Sequence, residues 1–110
     1  MFDFKWSPPE KKMAREAYEG AWDVAIGKLL AEFKTRANAA ASASDMWAVE
    51  AWLREQRKDI GEMFDYRYSQ LPLVFAWAIR EKHMDIECLA GLSEDKLKRI
   101  RSLRDFSLNR

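Results

Sequence analysis

An all-α chain is predicted by three features of the sequence: apolar residues recurring at three- and four-residue steps, only 4 Gly and 3 Pro among 110 residues, and no strand pattern. The segment lengths predict a long helical hairpin of two helices followed by a small C-terminal helical head. The boundary falls near residue 68, giving a hairpin and dimerisation region over 1–68 and a head over 69–110 in one compact chain. A domain this small has difficulty burying five Trp, six Phe and three Tyr unaided, so a second copy is anticipated, two hairpins pairing into a four-helix arrangement.

The first helix opens at Ser7-Pro8-Pro9-Glu10, where Ser7 can cap, Pro8 suits the first helical position and Glu10 completes a capping box. It runs to about Ala37, with Tyr18, Trp22, Ile26, Leu29, Leu30 and Phe33 as its apolar stripe and Ala14, Ala17, Ala21 and Ala25 in flanking rows. Residues 38–45 have no apolar period and end in capping residues, so a turn is expected there and a second helix from Ser44 or Asp45. That helix buries Met46, Val49, Leu53, Ile60, Met63 and Phe64 on one arc and ends near Tyr68, because Pro72 cannot continue it and restricts Leu71.

A third helix through residues 73–79 is apolar on nearly all sides and is expected at the centre of the head. Asp85 caps a single turn ending at Gly91, which is placed for a left-handed C-cap. Ser93-Glu94-Asp95-Lys96 starts the last helix, with acids in its first turn, basic residues later, and Leu97, Ile100, Leu103 and Phe106 facing inward. Trp22, Phe33, Phe64, Phe75 and Trp77 are assigned to cores, and the Asp65–Arg67 pair to a structural bridge.

Composition narrows the function. Lys and Arg number 19 against 18 Asp and Glu, so the net charge of +1 points to no nucleic acid. The N-terminal residues lack a basic stretch followed by an apolar one, and no apolar run is long enough for a membrane, so a cytoplasmic protein is expected. Cys88 is a single thiol in an apolar turn, consistent with a reducing compartment. His83, the one histidine, reads as a surface residue near a helix end rather than a general base. The carboxylates Glu50, Glu55, Asp59, Glu62 and Asp65 lack the Glu-x-x-His pairs of bundle metal sites, and no phosphate loop or Cys-x-x-Cys occurs. No cofactor, metal or catalytic residue is assigned, and a binding role is favoured over an enzyme.

Beside the apolar arc of the second helix, Trp47, Glu50, Arg54, Arg57 and Gly61 form a continuous second row at three- and four-residue steps. It reads either as a solvated face with an arginine lying over the tryptophan, or as a protein-binding patch, since Trp and Arg are the usual anchors of interfaces. Met46, Val49, Trp52 and Leu53 are the expected dimer interface.

The wider pattern is Trp47-x4-Trp52-Leu53-x3-Arg57-x2-Ile60, Phe64-Asp65-x-Arg67-x-Ser69, Val74-Phe75-Ala76, and Leu89-x2-Leu92-x2-Asp95-Lys96-x3-Ile100-x2-Leu103. It closely resembles the fluorescence recovery protein family of cyanobacteria. The resemblance implies an all-helical, non-enzymatic homodimer that binds the light-activated orange carotenoid protein. Such a dimer hastens that protein's return to the resting form and its release from the phycobilisome, restoring antenna fluorescence. It also implies that the second helix carries both the dimer interface and a contact patch, with a further contact in the head. Carried over by position, the patch tryptophan falls on Trp47 and its arginine on Arg57, the head phenylalanine on Leu73, and a basic residue of the last helix on Arg99. Glu50 and Arg54 complete the strip.

Two departures stand out. Glu50-Ala51 occupies the place of the pattern's His-Asp, moving the acid by one residue, about 100° round the helix, and Pro72 replaces an aliphatic residue. Two partners therefore remain open: the orange carotenoid protein or a related carotenoid-binding domain, and an unrelated client served by a divergent, holdase-like binding module.

Overall fold

A computed structural model shows four α-helices and one 3-10 turn: α1 (Pro8–Ala39), α2 (Ala43–Met63), α3 (Leu71–Arg80), the turn Ile86–Leu89 and α4 (Glu94–Leu108). It describes the backbone of residues 5–108 and the side chains of residues 5–106, and no strand occurs among the described residues. The outermost residues of the expected hairpin and head segments lie outside that range.

The anticipated capping box forms at α1: the Glu10 amide donates to Ser7 Oγ at 3.3 Å and the Ser7 amide to Glu10 Oε1 at 3.0 Å. At α2 the cap is Ser42, earlier than expected from sequence. Its hydroxyl accepts from the Asp45 amide at 3.1 Å while Asp45 Oδ2 accepts from the Ala41 amide at 3.0 Å, so two reciprocal bonds draw the helix start back to Ala43.

The second helix stops at Met63, short of Tyr68. The reason lies in Phe64-Asp65-Tyr66-Arg67-Tyr68, where aromatic and charged residues alternate. Leaving the helix lets all three aromatics meet α1 or the segment before it: Tyr18 packs edge-on to Phe64 and Tyr66, the Arg15 guanidinium lies 4.0 Å above Tyr66, and Trp6 lies 5.4 Å from Tyr68. The Tyr18 hydroxyl donates to the Phe64 carbonyl at 2.9 Å, and Asp65 and Arg67 pair with each other on the exposed side. Three aromatic contacts outweigh one further helical turn.

The apolar stripe of α1 is divided differently from expectation. Ala14, Ala17, Ala21 and Ala25 are the buried row, whereas Trp22 and Leu30 are 39% and 49% exposed. Small side chains let the head approach α1 closely, and the larger residues are left facing α2 and solvent. Trp22, assigned to a core by sequence, only touches one, with its ring edge-on to Phe64 at 5.1 Å. The expected centre of the head is found: Leu71, Pro72, Val74, Phe75, Ala76 and Ala78 of α3 are buried. They pack with Leu89, Leu92, Leu97 and Ile100 and with the first half of α1.

No described glycine has a positive φ, so the left-handed cap expected at Gly91 is absent. Gly91 instead gives way to Met13, whose terminal methyl would collide with a Cβ there and whose sulfur accepts from the Gly91 amide at 3.2 Å. The left-handed residue is Lys82, φ 62°, which closes α3 with His83 N–H to Ala78 O at 2.8 Å and Lys82 N–H to Ile79 O at 3.0 Å. A side chain in this conformation is strained, so Lys82→Gly is expected to raise stability by about 0.5–1 kcal/mol in urea unfolding. A loss of stability would show that the lysine side chain itself holds the loop.

One charged cluster is deeply placed. Lys96, only 4% exposed, donates to both Glu10 oxygens at 3.2 Å and to the Lys5 carbonyl at 2.6 Å, and lies 5.0 Å from the Trp6 ring centre. Glu10 Oε2 also accepts from the Ser93 amide at 2.9 Å. The N-terminal cap of α1 is thereby the anchor of α4.

The far half of the hairpin projects away from these cores. The molecule measures 52 × 29 × 21 Å, and its radius of gyration of 16.6 Å exceeds the roughly 13 Å of a compact chain this size. No residue of α2 is fully buried.

Candidate functional site

With the head cores built on α1, α3 and α4, most of α2 is covered on one side by α1, and only its end at Ile60 packs against the core that holds Ala78 of α3. The second row of α2 is open: Trp47 is 63% exposed, and Glu50, Arg54 and Arg57 are exposed along the same strip. Glu50 and Arg54 form the expected ion pair. Exposed as it is, that pair contributes about 0–1 kcal/mol, so stability does not require the strip. The arginine that does lie over a tryptophan comes from the other helix: Arg36 of α1, paired with Glu32 at 3.2 Å, places its guanidinium 4.3 Å from the Trp52 ring centre. Trp52 thus has a partner within the chain, whereas Trp47 stands open.

The neighbouring face is apolar. Met46 is 52% exposed, Val49, Trp52 and Leu53 are half-buried, and Met46, Val49 and Leu53 line an open groove with Phe33 and Ala37 of α1 and its C-cap Ala40. Open apolar surface of this kind is compatible with the interface expected from sequence. The interval of three to four residues between these positions sets them beside the Trp47 strip, and Glu50 of that strip lines the groove as well.

The head carries the other two candidate residues. Leu73, near the start of α3, is 46% exposed although its helix is otherwise the most buried. Arg99 on α4 is half-buried and engaged within the chain. The six candidate contact residues therefore divide between the α2 strip and the head.

His83 is half-buried rather than on the open surface, 5.1 Å from the Trp77 ring and with Nδ1 3.4 Å from Lys28 Nζ. Burial pushes its pKa below the usual value, Lys28 adds to the shift, and Glu81 opposes it. Lys28 also donates to the Glu81 and Lys82 carbonyls, so this cluster closes a helix end. Among the described residues no group of three or more His, Cys, Asp or Glu is placed to hold a metal, and no helix is long and apolar enough to cross a membrane.

Sequence reasoning did not find the second role of Glu10, the burial of Lys96, or the packing of Trp6 against both Lys96 and Tyr68. The capping-box motif identified Glu10 but carried no signal of a lysine 86 residues away.

Residues 6–104 match the family described as photoprotection regulator fluorescence recovery protein. The fluorescence recovery protein of Synechocystis sp. PCC 6803 is 29% identical over 98 residues, covering 89% of this chain and 90% of the relative. The structure of the Fremyella diplosiphon fluorescence recovery protein superposes with a TM-score of 0.87 at 32% identity, covering 92% of this chain and 99% of that one. The Synechocystis structure does so with the same TM-score and coverage at 28% identity. By sequence and by fold alike, this chain belongs to the fluorescence recovery protein family, regulators of photoprotection and not a known class of enzyme.

Proposed function

We propose that the chain acts in the cytoplasm as a non-enzymatic homodimer that binds the light-activated orange carotenoid protein and speeds its return to the resting state, ending antenna quenching. The observation that carries this reading is the open α2 strip, with Trp47 63% exposed beside the apolar groove of Met46, Val49 and Leu53. The groove serves as the dimer seam and the strip as the partner contact, with Leu73 and Arg99 of the head adding a second one. Such a regulator needs no cofactor. It works by differential affinity for two states of its partner, and accelerates relaxation only if it binds the transition state better than the activated state.

The experiment is dark recovery of photoactivated orange carotenoid protein, followed by absorbance with and without this protein and its Trp47→Ala variant. The wild type is expected to accelerate recovery. Trp47→Ala is expected to keep its helical circular dichroism and dimer mass while binding at least tenfold more weakly, the loss typical of an interface tryptophan. Loss of helicity in the variant would return Trp47 to a packing role.

A second reading has one observation in its favour. Glu50 is tied to Arg54, and residue 51 is an alanine, where the family pattern implied by resemblance has His-Asp. Unchanged recovery, with no complex on size-exclusion chromatography, would assign the scaffold to an unrelated client.

A further inference from the structure

A second open groove lies on the other side of α1. Its floor is the flank of that helix beside the buried alanine row, at Gly20 and Val24 next to Ala17, and its wall is the end of α3 at Ile79 and the segment after it, with Ile79, Met84 and Ile86 half-buried. Leu29, which lines the cleft toward α2, is nine residues from Gly20, half a turn round at about 100° per residue. The groove therefore stays open in a dimer paired through α2.

Gly20 is unexplained by the chain itself. A Cβ added there meets nothing within 4 Å, its φ is not positive, and a mid-helix glycine is a poorer helix former than alanine. Gly27, also in α1, is as open as Gly20, but Gly20 is the one that lies in the groove, whose floor it flattens. Val24 beside it is 41% exposed, so the floor is apolar as well as flat. The rim has a sign: Glu16, Asp85 and Glu87 line it against Lys82 and His83, and burial, with Lys28, lowers the pKa of His83. The chain as a whole is close to neutral, at +1, so this acidity is local.

We infer that the groove between α1 and the 82–88 segment docks a basic amphipathic helix of a partner protein. The groove, about 700 Å³ in volume, has room for the apolar side chains of two turns, which would seat on Gly20 and Val24 while lysines or arginines meet Glu16, Asp85 and Glu87. A glycine floor lets the incoming helix approach more closely than any side chain would allow.

The test uses a fluorescent helical peptide of about 18 residues built from Leu and Lys, and its Leu and Glu counterpart, titrated by anisotropy against the full-length protein. Cys88, exposed in the same groove and the chain's one cysteine, localises binding through protection from iodoacetamide. The expected result is binding of the lysine peptide alone, protection of Cys88, at least tenfold weaker binding by Gly20→Gln, and about threefold weaker, less salt-dependent binding by Glu87→Gln. Gly20→Gln places a better helix former at an open site, so it is expected to fold at least as stably as the wild type. Trp47→Ala is expected to leave peptide binding unchanged. No binding at millimolar peptide, equal binding of the glutamate peptide, indifference to Gly20→Gln, or loss in Trp47→Ala would each overturn the inference.

Discussion

Glu10→Gln is expected to lower the unfolding free energy by about 2–3 kcal/mol, with a fall in melting temperature of roughly 10 °C. Glutamine keeps one carbonyl oxygen, which can accept from the Ser7 amide and preserve the cap, but its NH2 group cannot accept from the Ser93 amide, so the loss combines the charge with one hydrogen bond. What it leaves behind is an ammonium at 4% exposure that keeps the Lys5 carbonyl and the Ser93 hydroxyl as acceptors but has lost the opposing carboxylate charge. A buried charge without its counter-ion is costly, whereas an apolar side chain of similar volume is not. Adding Lys96→Met to Glu10→Gln is therefore expected to recover a large part of the loss.

The same carboxylate sets an acid limit. Burial raises the Glu10 pKa, but the Ser7 and Ser93 amides and Lys96 outweigh it and hold it at about 2 against 4.5 for the free group. The folded state thus binds the proton less readily than the unfolded chain. Its contribution is fully present above pH 4.5 and is lost as the pH falls from 4.5 toward 2. In wild type, urea midpoints should drop across that window; in Glu10→Gln the drop should be smaller. Equal acid sensitivity in the two proteins would move the titrating group elsewhere.

Local signals and distant ones differed in how far they could be read. Ser7, Pro8 and Glu10 mark the start of α1 because capping is settled within four residues, and the apolar run after Pro72 identifies a central helix because every face of it must be covered. Which row of α1 faces the head was not legible. The alanine row and the aromatic row share the same 3.6-residue period, and only the closeness of α3 decides in favour of alanine. The end of α2 was hidden for a related reason: the strand-like alternation of residues 64–68 acts only because α1 presents Tyr18 and Arg15 to receive it. Lys96 reads as one more charge on a polar helix until the fold brings Glu10 beneath it. At the candidate site, spacing alone set Trp47, Glu50, Arg54 and Arg57 in one row, because that follows from helix geometry. The partner proposed for the row lies outside the chain, and only the family pattern speaks to it.

Val49→Glu is expected to convert the proposed dimer to monomer at micromolar concentration without unfolding either subunit. Val49 sits between two stretches of the α1–α2 surface, lining the groove with Phe33 and Met46 on one side and a shallower one with Arg36 and Ala48 on the other. In a single chain it is only half-buried, and α2 holds no fully buried residue, so a glutamate there can reach water. Glutamate is also a better helix former than valine. The cores on α1, α3 and α4 do not include residue 49 and should be untouched. In a seam closed by a second α2 the same carboxylate would be stripped of water beside Met46 and Leu53 of two chains, and it would be introduced twice by symmetry. The expected reading is a halved mass in light scattering, with helical circular dichroism retained apart from fraying of the hairpin end. A variant that remains dimeric would move the seam off this face of α2, and one that loses its head as well as its partner would show that hairpin and head fold as one unit.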